Sequence, residues 1–401
     1  MFASMLYHTN QIEDVQVLKH EYHSDKILFE AVLMPKKTPC SCCGGNDLIS
    51  KGLKIRKLRM APLGNKIAIL ILRLHRLQCI NCLHLWWPPI PFAKPKKRYT
   101  VSFERFVINL MGFATIEHTA KFLGVSWALI KNIHKEYLRR EYQSPDFGSL
   151  RYVGIDEFSI RKGHEYMTIF INLETGEIIH AIEGKSMESV TPFLLELKEK
   201  AIQLKAMAMD MNAAYASAVR NHLPEVDVVF DRFHVVALLN TTIEEIRRDQ
   251  QAKCNEVGLK VIKGMRFLLL RNYEKLDCKK KGSLESLLEV NQPIALAHAM
   301  KEQIRLFWSK QSVKEGAKFL AWWIMDAVET GISELERAGK TLLRHWQGLV
   351  NYFKHPITNG KTEGINNKIK TMKRQAYGFR DIEYFKLRLY NLHKVRYSFA
   401  R

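Results

Sequence analysis

The chain has no apolar run long enough to cross a membrane. Its longest apolar stretches, Lys66–Leu74 and Phe319–Val328, are much shorter than the about 20 residues that a spanning helix needs. The first residues do not show a charged start followed by an apolar block, so we expect no secretory signal. Acidic residues are few: 41 Asp and Glu stand against 62 Lys and Arg, a formal net charge of +21. We therefore expect a polyanion, nucleic acid first, and no membrane as the partner.

Cysteine is also rare, with seven residues in 401. In the reducing compartment that we expect for a chain without a signal, metal ligation or buried thiols are more common than disulfides. Two C-x-x-C steps frame a hairpin predicted over Leu53–Met60 and Lys66–Leu77. A hairpin brings its ends together, so four thiolates would close a tetrahedral site for one structural Zn²⁺. The four predicted ligands are Cys40, Cys43, Cys79 and Cys82.

The choice of zinc ligands stays open in the sequence. Cys42 lies beside Cys43, and His75 or His84 are alternative ligands. The other interpretation is a set of unrelated buried cysteines.

A basic linker and a two-helix pattern follow the cysteines. The linker residues Lys96, Lys97 and Arg98 suit either a solvated hinge or phosphate contact. Further on, Ala120 and Gly124 have the spacing of a helix-turn-helix, in which Ser126 would cap the second helix. A plain helical hairpin is the alternative. In a DNA-binding motif, the residues facing DNA would be Lys121, Ser126, Trp127 and Lys131.

From Arg151 the pattern changes to three strands followed by helix, strand, helix and strand. That order is typical of the ribonuclease H-like fold, in which the first and fourth strands are neighbours. Asp156 lies on the first of these strands, and Asp210 ends the fourth, which is otherwise small and apolar. Two carboxylates facing each other repel, and a divalent cation relieves the repulsion.

Glu363 is the third candidate carboxylate. It lies at a predicted helix start, after Asn359-Gly360, where a helix would carry its side chain to the two aspartates. Three carboxylates with room for water and phosphate suit two Mg²⁺ or Mn²⁺ ions and phosphodiester chemistry. The alternative is that all three are helix caps or surface charges.

Several segments resemble the transposases of ISL3-family insertion sequences, together with the order of cysteine segment, helix-turn-helix and acidic domain. The segments are Gly154–Ser159, Asp210–Asn212, Asp231–Val235 and Asn359–Asn367. The resemblance implies that Asp156, Asp210 and Glu363 form the metal-binding DDE triad of a ribonuclease H-like core interrupted by an all-helical insertion. Asp231 and His234 resemble a C/D-x-x-H signature, which implies that they orient a DNA phosphate or a water. The alternative is that Asp231 only caps a helix and that His234 is a buried histidine with its hydrogen bonds satisfied.

The predicted fold is a multidomain α+β protein. Its domains are a zinc-binding hairpin domain (1–95), a helix-turn-helix (96–145), a catalytic core (146–236 and 356–401, the latter with a C-terminal helix) and an all-α insertion (237–355). In the insertion, Trp308, Trp322, Trp323 and Trp346 are either core residues or residues that stack on a displaced base.

The predicted function is metal-dependent cleavage of DNA at terminal inverted repeats, followed by strand transfer into target DNA. Cutting two ends implies a homodimer or a larger assembly, and we expect it in the bacterial cytoplasm, associated with the nucleoid. One alternative is a DNA-binding regulator with a zinc ribbon, a helix-turn-helix and an inactive core. Another is a ribonuclease H-like nuclease acting on RNA or hybrids.

Overall fold

A computed structural model describes residues 2–34, 39–143, 147–161, 165–253 and 262–393. Contacts divide the chain into two units, residues 1–144 with 375–401 and residues 145–374. The predicted boundary at 145/146 and the tail 394–401 lie outside the described residues. No helix in the described ranges is long and apolar enough to cross a membrane.

The first unit begins with helix α1 (Phe2–Asn10) and a five-stranded sheet. The strands are β1 (Val15–Tyr22), β2 (Lys26–Leu33), β3 (Leu48–Arg59), β4 (Ile67–Cys79) and β5 (Leu85–Trp86). Their order is β1-β2-β4-β3, and β5 also pairs with β4. Every second residue is buried along β2 and over most of β4, so one face covers a core that includes Phe29, Leu70 and Leu72.

The predicted hairpin is confirmed by the antiparallel pair β3 and β4. Its turn closes with two backbone hydrogen bonds between Leu63 and Lys66, and Gly64 supplies a left-handed residue, with φ of +60°. The strands extend beyond the predicted ranges, as far as Leu48 and Cys79, which are paired at the open end. The cysteine segments therefore adjoin the open end of the hairpin.

Four helices complete the first unit. They are α2 (Val101–Leu110), α3 (Ile116–Leu123), α4 (Trp127–Glu141) and, near the end of the chain, α15 (Ile382–Tyr390). Thr100, Thr115 and Ser126 cap the first three, each accepting a hydrogen bond from the third backbone N–H of its helix. Gly124 ends α3 in the left-handed conformation, with φ of +61°. Leu138 of α4 packs with Tyr384 and Leu387 of α15.

The second unit is built on another five-stranded sheet. Its strands are β6 (Tyr152–Arg161), β7 (Glu165–Asn172), β8 (Ile178–Glu183), β9 (Ala206–Met209) and β10 (Asp227–Phe230). The order is β10-β9-β6-β7-β8, so the first and fourth strands of this unit are neighbours, as predicted. The pairs β6–β9 and β9–β10 are parallel, and the pairs β6–β7 and β7–β8 are antiparallel.

Helices connect and follow these strands. Helices α5 (Met187–Glu199) and α6 (Ala213–His222) lie on either side of β9 in the chain, and α7 (Arg232–Lys253) follows β10. After α7, the described residues up to Phe353 form helices and no strand. These are α8 (Arg266–Leu270), α9 (Cys278–Val290), α10 (Gln292–Ile304), α11 (Val313–Glu329), α12 (Ser333–Arg344) and α13 (Trp346–Val350), with short 3₁₀ turns. Helix α14 (Gly360–Gln375) brings the chain back to β6, and the hydrogen bonds that join the two elements are described with the candidate site below.

Candidate active site and metal centre

Three aspartates lie at the same edge of the second sheet. Asp210 directly follows β9, and Asp231 directly follows β10, whose last residue pairs with that of β9. The N–H of Asp231 donates to the carbonyl of Met209 (3.0 Å). Asp156 lies on β6, two residues beyond the pair that Gly154 makes with Ala208 of β9. The parallel pairing thus places the predicted Asp156 and Asp210 on neighbouring strands.

Asp156 is held by two hydrogen bonds. Its Oδ1 accepts from the N–H of Glu157 (2.7 Å), and its Oδ2 accepts from Nδ2 of Asn366 (2.7 Å). Burial raises the pKa of Asp156 to about 6, and the negative charge of Asp210 adds to the rise. Both causes disfavour the carboxylate form, and a cation between the two aspartates would offset them.

His234 contacts Asp210 directly. Its Nε2 lies 2.5 Å from Oδ1 of Asp210, and this hydrogen bond raises the pKa of His234. Asp231 caps α7 by accepting from the N–H of Phe233 (3.3 Å), and burial raises its pKa. The two residues of the D-x-x-H signature therefore differ in their contacts: Asp231 caps the start of the helix, and His234 contacts Asp210 at the end of the neighbouring strand.

Glu363 is exposed in the first turn of α14. Hydrogen bonds join this part of the chain to β6: Asn359, just before the helix, donates from Nδ2 to the carbonyl of Ile155 (3.1 Å), and Asn366 of the helix donates to Asp156. Asn366 is three residues after Glu363, so both side chains lie on one face of the helix. The three carboxylates do not form a group whose ligand atoms all lie within 4.8 Å; in the described part of the chain, only the cysteines do.

The oxygen atoms around Asp156 fit a divalent cation. Carboxylates and amide carbonyls are the hard ligands that Mg²⁺ and Mn²⁺ prefer. The Oδ1 atoms of Asn359 and Asn366 are buried and accept no hydrogen bond. Sequence reasoning assigned no role to these two asparagines, although the helical spacing from Glu363 to Asn366 was visible. Gly154 was missed as well: a Cβ there would lie 2.9 Å from Oδ1 of Asn359.

The four predicted zinc ligands form one cluster in the first unit. The Sγ atoms of Cys40, Cys43, Cys79 and Cys82 all lie within 4.8 Å of one another. Two of the Sγ–Sγ distances, Cys40–Cys82 at 3.5 Å and Cys43–Cys79 at 3.6 Å, are close to the about 3.8 Å edge of a tetrahedron with Zn–S bonds of about 2.3 Å. The cluster thus resembles a zinc site.

The two cysteine segments fold alike, which explains the choice of ligands. In each segment the residue after the second cysteine has a positive φ and donates its N–H to the carbonyl of the first: Gly44 to Cys40 (2.9 Å) and Leu83 to Cys79 (3.0 Å). Cys42 is exposed outside the cluster, and only its N–H contacts the Sγ of Cys40 (3.4 Å). His75 contacts Ser50 and His84 stacks on Trp86, so neither replaces a thiol.

The predicted DNA-facing residues differ in exposure and in whether they form ion pairs. Ser126 and Trp127 are exposed at the start of α4. Lys131 forms an ion pair, with its Nζ 2.8 Å from Oδ2 of Asp381, the residue that caps the start of α15. Lys121 pairs with Glu117, Lys97 pairs with Glu136, and Lys96 and Arg98 are exposed.

The tryptophans of the predicted insertion also differ. Trp323 is fully buried and donates from Nε1 to the carbonyl of Met300 (3.0 Å), so it is a core residue. Trp308 and Trp346 are partly buried against the same core. Trp322 is 46% exposed.

Comparison with known proteins identifies the family. A family model of ISL3-type DDE proteins, described as "Transposase", matches residues 153–389. The transposase for insertion sequence element IS1001 of Bordetella parapertussis is 30% identical over 354 residues, which are 87% of each chain. The transposase for IS1557 of Mycobacterium tuberculosis is 23% identical over 73% of this chain and 71% of its own.

Among solved structures, the Drosophila P element transposase strand transfer complex aligns with a TM-score of 0.39 at 11% identity, over 73% of this chain and 91% of its own. The family model covers more than half of the chain, and the IS1001 relative matches most of its length. The chain is therefore a DDE transposase of the ISL3 family.

Proposed function

We propose that this transposase binds the terminal inverted repeats of its element, cuts DNA there with divalent metal held by Asp156, Asp210 and Glu363, and joins the cut end to target DNA. One observation carries the proposal. Asp156 lies on β6 and Asp210 directly follows the neighbouring strand β9, and the helix that bears Glu363 is hydrogen-bonded to Asp156. The order β10-β9-β6-β7-β8 supports a ribonuclease H-like core, with the helices after α7 as its insertion.

The roles of the site residues follow from their positions. Asp156 and Asp210 would hold one ion between them, and Glu363 would complete the ligands for a second from the first turn of α14. Bound Mg²⁺ or Mn²⁺ would activate the attacking hydroxyl and stabilise the leaving oxygen of the phosphodiester. Asn366 orients the carboxylate of Asp156. His234 neutralises part of the charge of Asp210 until a cation takes its place.

The first unit would supply recognition of the DNA ends. The exposed start of α4, at Ser126 and Trp127, suits insertion into the major groove as the second helix of a helix-turn-helix. One Zn²⁺ on the four cysteines would fix the open end of the hairpin. Because an element has two ends, we propose at least a dimer on DNA, acting in the bacterial cytoplasm.

The test uses the full chain, Mg²⁺ and labelled duplex DNA that carries the inverted repeat flanking the gene. Asp156→Asn and Glu363→Gln should abolish cleavage and strand transfer but should still bind the duplex. Glu188→Gln is the matched control, because Glu188 is an exposed acid in the first turn of another helix, α5. Titration of the free protein with Mn²⁺ gives a second readout, the affinity for the metal, and Asp156→Asn should lower that affinity.

Two outcomes would refute the proposal. Cleavage that survives in Asp156→Asn or Glu363→Gln would remove these residues from the mechanism. Specific binding by the unaltered chain without any metal-dependent cleavage would support the regulator instead.

A further inference from the structure

A basic groove runs along strand β3 in the first unit. Its cavity has a volume of about 610 Å³. One wall carries the β3 side chains Lys54, Arg56, Lys57 and Arg59, and the other is formed by the consecutive residues 96–98, which are also all cationic. The remaining lining residues are two isoleucines, so no acidic side chain lines the groove.

The charges of this groove are largely unbalanced. Among the described residues, only one of the groove cations forms an ion pair: Nζ of Lys97 lies 2.6 Å from Oε1 of Glu136. Lys54, Lys57 and Arg98 are exposed, and Lys54 lies 5.8 Å from the ring centre of Trp87. Seven cations around one cavity repel one another, and a bound polyanion would relieve the repulsion.

Backbone and side-chain hydrogen bonds hold the two walls together. Arg59 donates its N–H to the carbonyl of Arg98 (2.9 Å), and Arg56 donates from its guanidinium to the carbonyl of Lys97. Lys96 adopts a left-handed conformation, with φ of +61°, which is unfavourable for a residue with a Cβ. The groove is therefore a built feature of the fold, with a strained lysine at its rim.

The groove adjoins the turn between α3 and α4. The guanidinium of Arg59 donates to the carbonyl of Leu123, the last residue of α3 (2.5 Å). From Lys54 to Arg59 the strand spans about 17 Å at about 3.3 Å per residue. That length matches about five phosphates of one DNA strand at about 3.4 Å each along the axis.

We propose that the groove along β3 binds the sugar-phosphate backbone of the duplex that the start of α4 reads. The inference rests on the proposed binding of DNA by the first unit. Phosphate contacts carry no sequence information, so the groove adds affinity equally to all sequences and positions the duplex for α4.

The test measures dissociation constants by fluorescence anisotropy as salt is raised. Two duplexes of equal length are used, one with the flanking inverted repeat and one scrambled. Each phosphate contact contributes about 0.9 to the slope of log K against log salt. The triple variant Lys54→Ala, Lys57→Ala, Arg98→Ala should lower that slope by about 2–3 on both duplexes. Lys51→Ala is the matched control, because Lys51 is exposed on the same strand but does not line the groove.

A second variant guards against misfolding. Lys96→Gly removes a groove cation and also relieves the left-handed strain, so it should fold at least as well and still lower the slope by about one. An unchanged slope in both the triple variant and Lys96→Gly would overturn the proposal that the groove binds phosphates. A loss of affinity confined to the repeat duplex would overturn it as well.

Failure of the proposed function has a different signature. If the unaltered chain binds both duplexes equally, recognition of the repeat is wrong, while the slopes still test the groove. If it binds neither duplex, both proposals are overturned.

Discussion

Asn366 donates a hydrogen bond from Nδ2 to Oδ2 of Asp156 over 2.7 Å, between residues 210 positions apart in the chain. The bond joins the helix that carries Glu363 to the strand that carries the first aspartate. It also leaves Oδ1 of Asn366 buried and without a hydrogen-bond partner. The amide of Asn366 thus contributes both to the orientation of Asp156 and to the docking of α14 on β6.

We expect Asn366→Ala to lower the rate of DNA cleavage by about 10–100-fold, the usual cost of losing a group that orients a metal ligand. The variant should also need a higher Mg²⁺ concentration for half of its maximal rate. Single-turnover cleavage measured over a range of Mg²⁺ concentrations tests both effects.

Asn367→Ala is the control for Asn366→Ala, because Asn367 is the next residue of the helix and is exposed. It should behave like the unaltered chain. Equal effects of the two substitutions would show that the bond to Asp156 has no role in cleavage.

Gly154 is required for the close approach of α14 to β6. A Cβ at Gly154 would lie 2.9 Å from Oδ1 of Asn359 and 2.9 Å from a methyl carbon of Leu173. We expect Gly154→Ala to lower the free energy of unfolding by about 1–3 kcal/mol, the usual cost of overpacking. Urea unfolding monitored by circular dichroism measures the loss.

Gly364→Ala should have the opposite effect and is the matched control. Gly364 lies inside α14, and nothing is within 4 Å of a Cβ built there, so alanine should stabilise the helix by about 0.5–1 kcal/mol. If Gly154→Ala were as stable as Gly364→Ala, the contact with Asn359 would not constrain the site.

Local patterns in the sequence were sufficient to predict the hairpin and the four clustered cysteines. The two C-x-x-C steps and the breaker-rich turn are short-range signals, and the structure pairs β3 with β4 as they indicate. The same holds for Asp156 and Asp210. An acid among or directly after the apolar residues of a strand is visible locally, and the order of elements made the two strands neighbours.

Long-range contacts between polar groups could not be predicted. The pattern predicted a C-terminal helix but gave no partner for it, and in the structure Asp381 of that segment contacts Lys131 and Lys135 of α4. The spacing from Glu363 to Asn366 places both residues on one face of a helix, but it does not reveal that this face meets Asp156 of β6. Helix α1 is short, and sequence reasoning did not predict it.

The zinc ligands can be distinguished by substituting adjacent cysteines. Cys43→Ser removes one of the four clustered thiols, so we expect loss of bound Zn²⁺ and a clear fall in the melting temperature of the first unit. Cys42→Ser changes an exposed thiol outside the cluster, so it should keep both the bound Zn²⁺ and the melting temperature of the unaltered chain. Metal content by mass spectrometry and thermal unfolding check the pair. A zinc content that falls in Cys42→Ser and stays in Cys43→Ser would reverse the assignment.

His134 makes the first unit sensitive to acid. It is buried in α4, with its Nδ1 2.8 Å from the hydroxyl of Tyr384. Burial lowers its pKa to about 3, and the positive charge of Arg388 adds to the effect. An unfolded histidine titrates near 6.5, so below that pH the unfolded chain binds a proton that the folded chain does not. Stability is therefore lost as the pH falls.

For this one histidine we expect a loss of about 2 kcal/mol between pH 7 and pH 5. His134→Asn removes the titrating group, so its free energy of unfolding should depend less on pH by that amount. Tyr384→Phe is the control: it removes the hydroxyl but keeps the buried histidine and hence the pH dependence. His298, whose pKa burial lowers to about 4, adds its own dependence in the second unit, so the comparison is between each variant and the unaltered chain. Chemical unfolding at pH 5, 6 and 7 measures the free energy of unfolding of each protein. Identical pH profiles for His134→Asn and the unaltered chain would show that His134 does not cause the acid sensitivity.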